Sequence, residues 1–246
     1  LYLLSFILAF EGRGWYRRGL YLPMLVVALG ALAWLPTLGV SELSIQVSMA
    51  INLASFFVAC MVCHGELSRH QPHPGQLTTF YLMLAVGGAI GGFFVGIIAP
   101  YFFNSHYELS IAIVLTGLVA AIAVIPTLPA TRPGWRLAAG AGCAVVLVAL
   151  AGVRVADHVG ENSGADALLR NFYGTLTVHS NPETGFRTML HGQIVHGRQF
   201  IAADKAQTPI AYYSSEGGAG KALLAKAGSG PLRVGVVGIG IGTLAA

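Results

Sequence analysis

The chain has 246 residues, of which 55% are hydrophobic and only 10% are charged. Soluble globular domains carry charge on about a quarter of their residues, so this composition excludes an ordinary soluble protein. The formal net charge of +4 does not indicate a nucleic-acid partner. Arg13, Arg17 and Arg18 lie together between two apolar segments, which is where basic residues flank membrane spans.

Both termini are expected to be cut ends. The chain starts at Leu1 rather than at a methionine, inside an apolar run at 1–10 that has no basic leader. This is not the pattern of a signal peptide, and we interpret the run as the end of a helix that begins upstream. Ala246 follows a glycine cluster of the kind that opens a helix, so more sequence is expected beyond it.

Long windows without a charged residue fill most of the sequence between Leu20 and Val153. About 20 apolar residues cross a ~30 Å hydrocarbon core, and they must be helical because the backbone finds no water there. The sequence therefore predicts a transmembrane helical domain over 1–156, embedded in a lipid bilayer. Its predicted spans are a partial one at 1–10 and complete ones at 20–40, 44–63, 77–100, 109–128 and 137–153.

Residues 157–230 are predicted to form a linker and a small antiparallel β domain. Charged residues return here, and 172–178 alternates like a half-buried strand, while 186–200 is typical of one or two more strands. Between them, Asn181-Pro182-Glu183-Thr184-Gly185 has the chemistry of a turn. A short helix is predicted at 221–227.

Residues 231–246 are expected to open a Rossmann-like, methyltransferase-type α/β domain. The apolar run 232–237 predicts a buried strand, and the glycines after it predict a tight turn into a helix, where backbone N–H groups approach a cofactor. Gly240-x-Gly242-x-x-Ala245 fits the dinucleotide pattern, whereas Gly238-x-Gly240-x-Gly242 equally fits enzymes that bind S-adenosylmethionine-type cofactors. A purely structural turn is the third alternative.

Cys60-Met61-Val62-Cys63-His64 spells the string that attaches haem. We expect neither haem nor another metal, because on a helix Cys60 and His64 share a face while Cys63 points elsewhere. Two small apolar cysteines in a membrane helix are the simpler interpretation. His64 and Glu66 then mark the membrane interface, or they form a polar site for a proton or a substrate, since ionisable groups at membrane depth are often functional.

Two other glycine-rich segments have simpler interpretations. The small residues of 87–92 recur four apart on one helix face, which predicts close packing against a neighbouring helix; a transport path is the alternative. Residues 216–221 resemble a phosphate-binding loop, but Ser215 and Ala222 stand where that loop needs a glycine and a hydroxyl residue. A phosphate loop is therefore rejected.

Strings from both parts of the chain together point to one family. The membrane part contributes Cys63-His64-Gly65-Glu66-Leu67 and the glycine run at 87–92. The soluble part contributes Arg170-Asn171-Phe172-Tyr173-Gly174, His191-Gly192 with His196-Gly197-Arg198-Gln199, Pro209-Ile210-Ala211-Tyr212-Tyr213, and the glycine-loop string at 234–243. The chain resembles the spermidine synthase (polyamine aminopropyltransferase) family, in particular its membrane-fused bacterial branch.

This resemblance implies transfer of an aminopropyl group from decarboxylated S-adenosylmethionine to a polyamine amine, without a metal. The positions it assigns are Gly238, Gly240, Gly242 and Gln199 for the donor, and Tyr212 and Tyr213 for the amine. The catalytic residues would lie beyond Ala246.

Three polar strings of the soluble members differ here. Their Tyr-His-Glu is Tyr212-Tyr213-Ser214, their Leu-Asp-Gly is Leu190-His191-Gly192, and an Asp of their glycine loop is Ile241.

The side of the membrane that the soluble domain occupies is open to two arguments. Six arginines lie in the loops 11–19, 68–76 and 130–136, whereas the alternate loops near Glu42 and Glu108 contain no lysine or arginine. The positive-inside rule then places the soluble domain on the outer side. A cytosolic donor requires the cytoplasmic face, to which we assign it, in a protein of the bacterial inner membrane.

Two other classes of function remain as alternatives. One is a membrane transporter or sensor whose soluble domain binds an adenosyl ligand without turnover. The other is a methyltransferase or a nicotinamide-dependent enzyme on the same opening fold. A homo-oligomer is compatible with each of them.

Overall fold

The computed structural model describes residues 1–11, 14–38, 43–129, 133–228, 230–238 and 240–243. The chain divides into two compact units. The first comprises 1–93 and 107–161 and is helical. The second comprises 94–106 and 162–246 and contains the sheet.

Most of the chain is helical. The helices are α1 (Tyr2–Phe10), α2 (Arg18–Trp34), α3 (Ile45–Arg69), α4 (Leu77–Phe93), α5 (Ala99–Phe102), α6 (Tyr107–Val124), α7 (Pro133–Asn162) and α8 (Gly218–Ala227). Among the described residues, five helical segments are long and apolar enough to cross a membrane, and each overlaps one of the five predicted spans: Arg18–Thr37, Ile45–Arg69, Pro74–Phe102, Tyr107–Thr127 and Gly134–Gly160. The predicted partial span is α1, and residues 39 and 40 of the first complete span lie outside the described residues.

Two helices run further than the sequence predicts. Helix α3 ends at Arg69 rather than at Cys63, and α7 ends at Asn162, so the first residues of the predicted linker are helical. The buried charged residues of these extensions, Glu66 and Arg154, are paired with other side chains. In α7, Arg154 donates to the Asp157 carboxylate three residues later at 2.5 Å, which is one helical turn along the same face.

The third span widens near its end. A π-helical turn, Phe94–Ile98, separates α4 from α5. Pro100 accounts for it, because its ring excludes the carbonyl four residues earlier and removes a backbone donor. The glycines at 87–92 do not pack as predicted: Cβ atoms added there would meet no neighbouring element of the described chain within 4 Å.

The core of the helical unit is apolar and is shared by several helices. Helix α3 packs against α1, α2 and α6, and α2 also packs against α6. The buried cluster is formed by Leu25, Ala28, Leu29, Leu32, Ala33, Val58, Val62, Ile113, Ala120 and Leu150.

The second unit contains a four-stranded antiparallel meander, as predicted. Its strands are β1 (Ala165–Asn171), β2 (Gly174–Asn181), β3 (Phe186–His191) and β4 (Ile194–Phe200), hydrogen-bonded in the order β1-β2-β3-β4. The segment 186–200 thus forms two strands. The predicted strand 172–178 is wrong at its start, because Phe172 and Tyr173 form the β1–β2 turn. Both have high strand propensity, but Gly174 has φ +142°, and the Asn171 side chain accepts from the Tyr173 backbone N–H at 2.9 Å.

The β2–β3 connection has the predicted turn chemistry. The Asn181 carboxamide oxygen accepts from the backbone N–H groups of Glu183 at 2.9 Å and Thr184 at 3.2 Å. Gly185, with φ +73°, donates its N–H to the Asn181 carbonyl at 2.9 Å. Asparagine closes turns in this way because its side chain mimics a backbone acceptor.

The predicted buried strand at 232–237 is not formed. These residues adopt no strand, and Val237 is fully exposed. A buried parallel strand needs strand neighbours on its edges and helices on its faces. The sheet of the described residues is the antiparallel meander, which offers this segment no parallel neighbour. The predicted helix at 221–227 lies within α8.

We expect Gly174→Ala to destabilise the sheet. A Cβ at this position would lie 2.3 Å from the His191 Nε2 atom, and φ +142° is strained for alanine. A loss of about 1–3 kcal/mol is expected, seen as faster hydrogen–deuterium exchange in β2 and β3. Gly164→Ala is the control, because φ there is also positive but the space is open. Equal losses in both variants would show that the His191 contact contributes nothing.

Candidate functional site

The C-terminal glycine loop has a backbone that favours glycine at three positions. Gly238, Gly240 and Gly242 have φ values of +86°, +57° and +78°. Residues with a Cβ rarely adopt such angles, whereas glycine does so without steric cost. The spacing Gly-x-Gly-x-Gly therefore corresponds to a turn that the backbone adopts here.

This loop packs directly on strand β4. A Cβ added at Gly197 would lie 2.6 Å from the Ile241 side chain. The loop can therefore pack here because residue 197 has no side chain. A cavity of about 50 Å³ lies between loop and strand. Its lining residues are Arg198, Gln199, Ala206, Gln207, Thr208, Ile241, Gly242 and Thr243.

Several residues assigned by the resemblance thus lie together. Gln199 and Gly242 line the same cavity, and the Gln199 amide donates to the Ala206 carbonyl at 3.1 Å. A Cβ at Gly240 would lie 3.5 Å from the Tyr213 hydroxyl, so this phenol lies beside the loop. The Tyr212 side chain is outside the described residues; its backbone belongs to a short 3-10 turn, Ala211–Tyr213.

At two of the three positions where the sequence differs from the family that it resembles, the side chain has a structural partner. Ile241 fills the space above Gly197. The His191 ring lies 5.4 Å from the His196 ring, and its Nε2 is 3.2 Å from the Tyr173 carbonyl oxygen. Ile241 therefore packs against β4, and His191 contacts the β1–β2 turn.

The membrane polar residues His64 and Glu66 are buried in the helical unit, at 5% and 6% exposure. This burial was not expected from the interpretation that His64 and Glu66 mark the membrane interface. Arg18 makes a bidentate contact with the Glu66 carboxylate, at 2.7 Å from Nε and 2.6 Å from Nη2. The Tyr16 hydroxyl donates to the same carboxylate at 2.6 Å. Both carboxylate oxygens are thus engaged.

Tyr16 is held against the helix by Gly65. A Cβ at Gly65 would lie 2.2 Å from the Tyr16 ring, so the ring rests on bare backbone. Burial and then the hydrogen bond to Glu66 raise the pKa of Tyr16 above its ordinary value. The phenol therefore stays protonated, and able to donate, to higher pH than an ordinary tyrosine. This packing accounts for Gly65 and Glu66 in the string His64-Gly65-Glu66.

His64 lies in an aromatic setting provided by α1. Its Nδ1 is 2.9 Å from the Ser5 hydroxyl, which itself donates to the Tyr2 carbonyl at 2.8 Å. The rings of Tyr2 and Phe6 meet the imidazole edge-on, at 4.8 Å and 5.4 Å between centroids. These contacts join α1 to α3.

A second buried polar cluster was missed by the sequence analysis. Arg154 and His158, 4% and 6% exposed, lie on α7, and Arg154 pairs with Asp157. The Ser110 hydroxyl is 3.1 Å from both Arg154 Nε and His158 Nε2. The spacing of three and four residues along α7 was the available signal, since it places these side chains on one face. The predicted span ended at Val153, which hid it.

Within the described residues, no group of three or more His, Cys, Asp or Glu side chains is arranged to hold a metal ion. No family model, no curated protein and no solved structure matches this chain. Function is therefore inferred from its residues and their contacts.

We expect Gly65→Ala to lower the thermal stability of the protein in lipid nanodiscs. The added methyl group would overlap the Tyr16 ring, and such overpacking costs about 1–3 kcal/mol. Gly30→Ala in α2 is the matched control, because a Cβ there meets nothing within 4 Å, and alanine is the better helix former. Its melting midpoint should stay the same or rise slightly. Similar losses in the two variants would contradict the Tyr16 contact.

Proposed function

We propose that the protein is a membrane-anchored enzyme of the aminopropyltransferase type, whose soluble part faces the cytoplasm. It would transfer an aminopropyl group from decarboxylated S-adenosylmethionine to a polyamine amine. The observation that supports this most is the contact of the glycine loop with β4. It brings Gln199, Gly242 and the neighbouring Tyr213 hydroxyl into one place, as the family resemblance requires.

The glycine loop would hold the donor. The positive φ values at Gly238, Gly240 and Gly242 fit the opening turn of a Rossmann-like domain, which brings backbone N–H groups close to a nucleotide. The cavity of about 50 Å³ is far below the roughly 300–1,000 Å³ of small-molecule pockets. In this proposal it is one corner of the donor site, and further residues of the α/β domain complete the site.

The chemistry needs an amine that has lost its proton. The amine nitrogen attacks the aminopropyl carbon bonded to the sulfonium sulfur; a C–N bond forms, the C–S bond breaks, and methylthioadenosine leaves. The amine proton passes to a general base. Positioning of the two substrates for in-line attack supplies much of the acceleration. Tyr212 and Tyr213 are proposed to line the amine pocket.

A membrane sensor or transporter with a non-catalytic adenosyl-binding domain is the second candidate. The buried clusters around Glu66 and Arg154 favour it, because ionisable groups within membrane helices are often functional. The replacement of polar family positions by His191, Ser214 and Ile241 favours it as well. The arginine distribution, which predicts an outer soluble domain, points the same way.

The release of methylthioadenosine separates the two candidates. Membranes that contain the protein in its full natural length are given decarboxylated S-adenosylmethionine with putrescine or spermidine. Product formation that depends on the amine is expected. Donor binding without any methylthioadenosine above background would reject the transferase and leave the sensor.

We expect Gly240→Val to weaken donor binding by roughly tenfold or more, since a β-branched residue at φ +57° is strained by about 1–3 kcal/mol. Gly235→Val is the control, because its surroundings are open and its φ is not positive. Binding is measured by calorimetry in nanodiscs. Equal affinities for the two variants would show that the loop conformation is not used for the donor.

The cytoplasmic assignment has its own test. Glu183 lies on the exposed β2–β3 turn, and Glu183→Cys in a cysteine-free background provides one reactive thiol. A membrane-impermeant maleimide should label it only after the cells are broken. Labelling of intact cells would place the domain outside, where no cytosolic donor reaches it, and would favour the sensor.

A further inference from the structure

The tip of the β1–β2 hairpin presents two aromatic side chains to the outside. Phe172 and Tyr173 are 77% and 84% exposed, and their rings meet edge-on with centroids 5.7 Å apart. The Asn171 carboxamide fixes the turn through the Tyr173 N–H. The pair is therefore held outward by a defined turn.

The residues that flank this tip contact the connection between two membrane spans. The Arg170 guanidinium donates to the Ser105 carbonyl, and the Thr175 hydroxyl lies 2.9 Å from the His106 Nε2 atom. Ser105 and Thr175 are both buried. Residues 103–106 join the spans Pro74–Phe102 and Tyr107–Thr127, and they belong to the same compact unit as the sheet. This end of the sheet is thus hydrogen-bonded to the connection between two predicted spans.

The neighbouring end of the span is aromatic too. Helix α5 packs against β1, and its last residues, Tyr101 and Phe102, are 86% and 79% exposed. The β3–β4 turn lies at the same end of the sheet, because the Gly192 N–H donates to the Thr175 carbonyl at 2.9 Å. The first residue of β4 after this turn, Ile194, is 67% exposed.

We propose that this end of the sheet docks on the lipid surface, with Phe172 and Tyr173 inserted among the headgroups. Aromatic side chains are enriched at the membrane–water interface, where the ring meets apolar chains and a hydroxyl meets water. Tyr101 and Phe102, at the end of a span, form the other part of the same aromatic belt. The hairpin tip is a second membrane contact of a domain already tethered by its helices.

The opposite end of the sheet provides an internal control. Strand β2 has eight residues, which corresponds to about 25 Å at ~3.3 Å per residue. The β2–β3 turn at Asn181–Gly185 lies at the far end of this strand. If the tip is in the headgroup region, Glu183 is in water.

The test is a depth measurement on the full chain in phosphatidylcholine nanodiscs. Phe172→Cys, Tyr173→Cys and Glu183→Cys are made separately in a background without Cys60, Cys63 and Cys143, and each thiol receives an environment-sensitive fluorophore. Lipid-attached quenchers should extinguish the labels at 172 and 173 and leave the label at 183 bright. A water-soluble quencher should show the reverse order.

Two results would overturn the proposal. Equal aqueous quenching at 172, 173 and 183 would show that the tip is in water. Protection of 172 and 173 from the aqueous quencher without any effect of the lipid quenchers would show that protein covers the tip, such as a second copy of the chain. Unchanged elution of the labelled variants on size exclusion verifies that they are folded.

Discussion

The carboxylate of Glu66 is the group on which the arrangement of the membrane helices depends. A carboxylate removed from water costs several kcal/mol unless its partners satisfy both oxygens. Arg18 and Tyr16 do so. Arg18 also donates to the Thr127 hydroxyl at 2.6 Å, so one guanidinium links the start of α2, the end of α3 and the turn after α6. Loss of one partner of a buried pair typically costs about 3–5 kcal/mol, whereas an apolar replacement of both is often neutral. The Arg18–Glu66 pair therefore determines which helix ends lie together, and it adds little to the net stability of the fold.

The membrane spans were predictable because the signal is local: long windows without charge determine a helix in lipid whatever its neighbours are. The burial of Glu66 was not predictable in this way. Its partners lie 48 and 50 residues away in sequence, within a basic segment that is typical of a solvated loop. The role of Gly65 could not be predicted either. Gly65 leaves space for the Tyr16 ring, and the sequence does not show that the two residues are in contact.

The second unit shows the same division between local and non-local information. The turn at 181–185 follows from the chemistry of Asn181 itself. Phe172 and Tyr173 were assigned to a strand because propensity ignores the backbone angle that Gly174 adopts. The run 232–237 has the composition of a buried strand, yet a strand of that kind exists only beside parallel neighbours. The turn of the glycine loop could be predicted from its residues. The packing of Ile241 against Gly197 could not, because that contact depends on the fold.

The interior of the helical unit bears on what the membrane domain does for the proposed enzyme. Helix α2 is held at its start by Arg18 and near its end by Arg154, whose guanidinium lies 3.5 Å from the Ala33 carbonyl. Between these polar contacts, α2, α6 and α7 line an open cavity of about 390 Å³, and its lining is formed by apolar side chains and glycines. A polyamine cation that crossed here would lose its hydration without meeting a carboxylate or a carbonyl-rich wall, which is prohibitively costly in lipid. The paired charged residues lie instead towards the helix ends, where Arg18 pairs with Glu66 and Arg154 pairs with Asp157. For the proposed enzyme, the apolar lining of this cavity therefore favours an anchor over a polyamine conduit, and a polyamine would reach the soluble domain from water and not through the bundle.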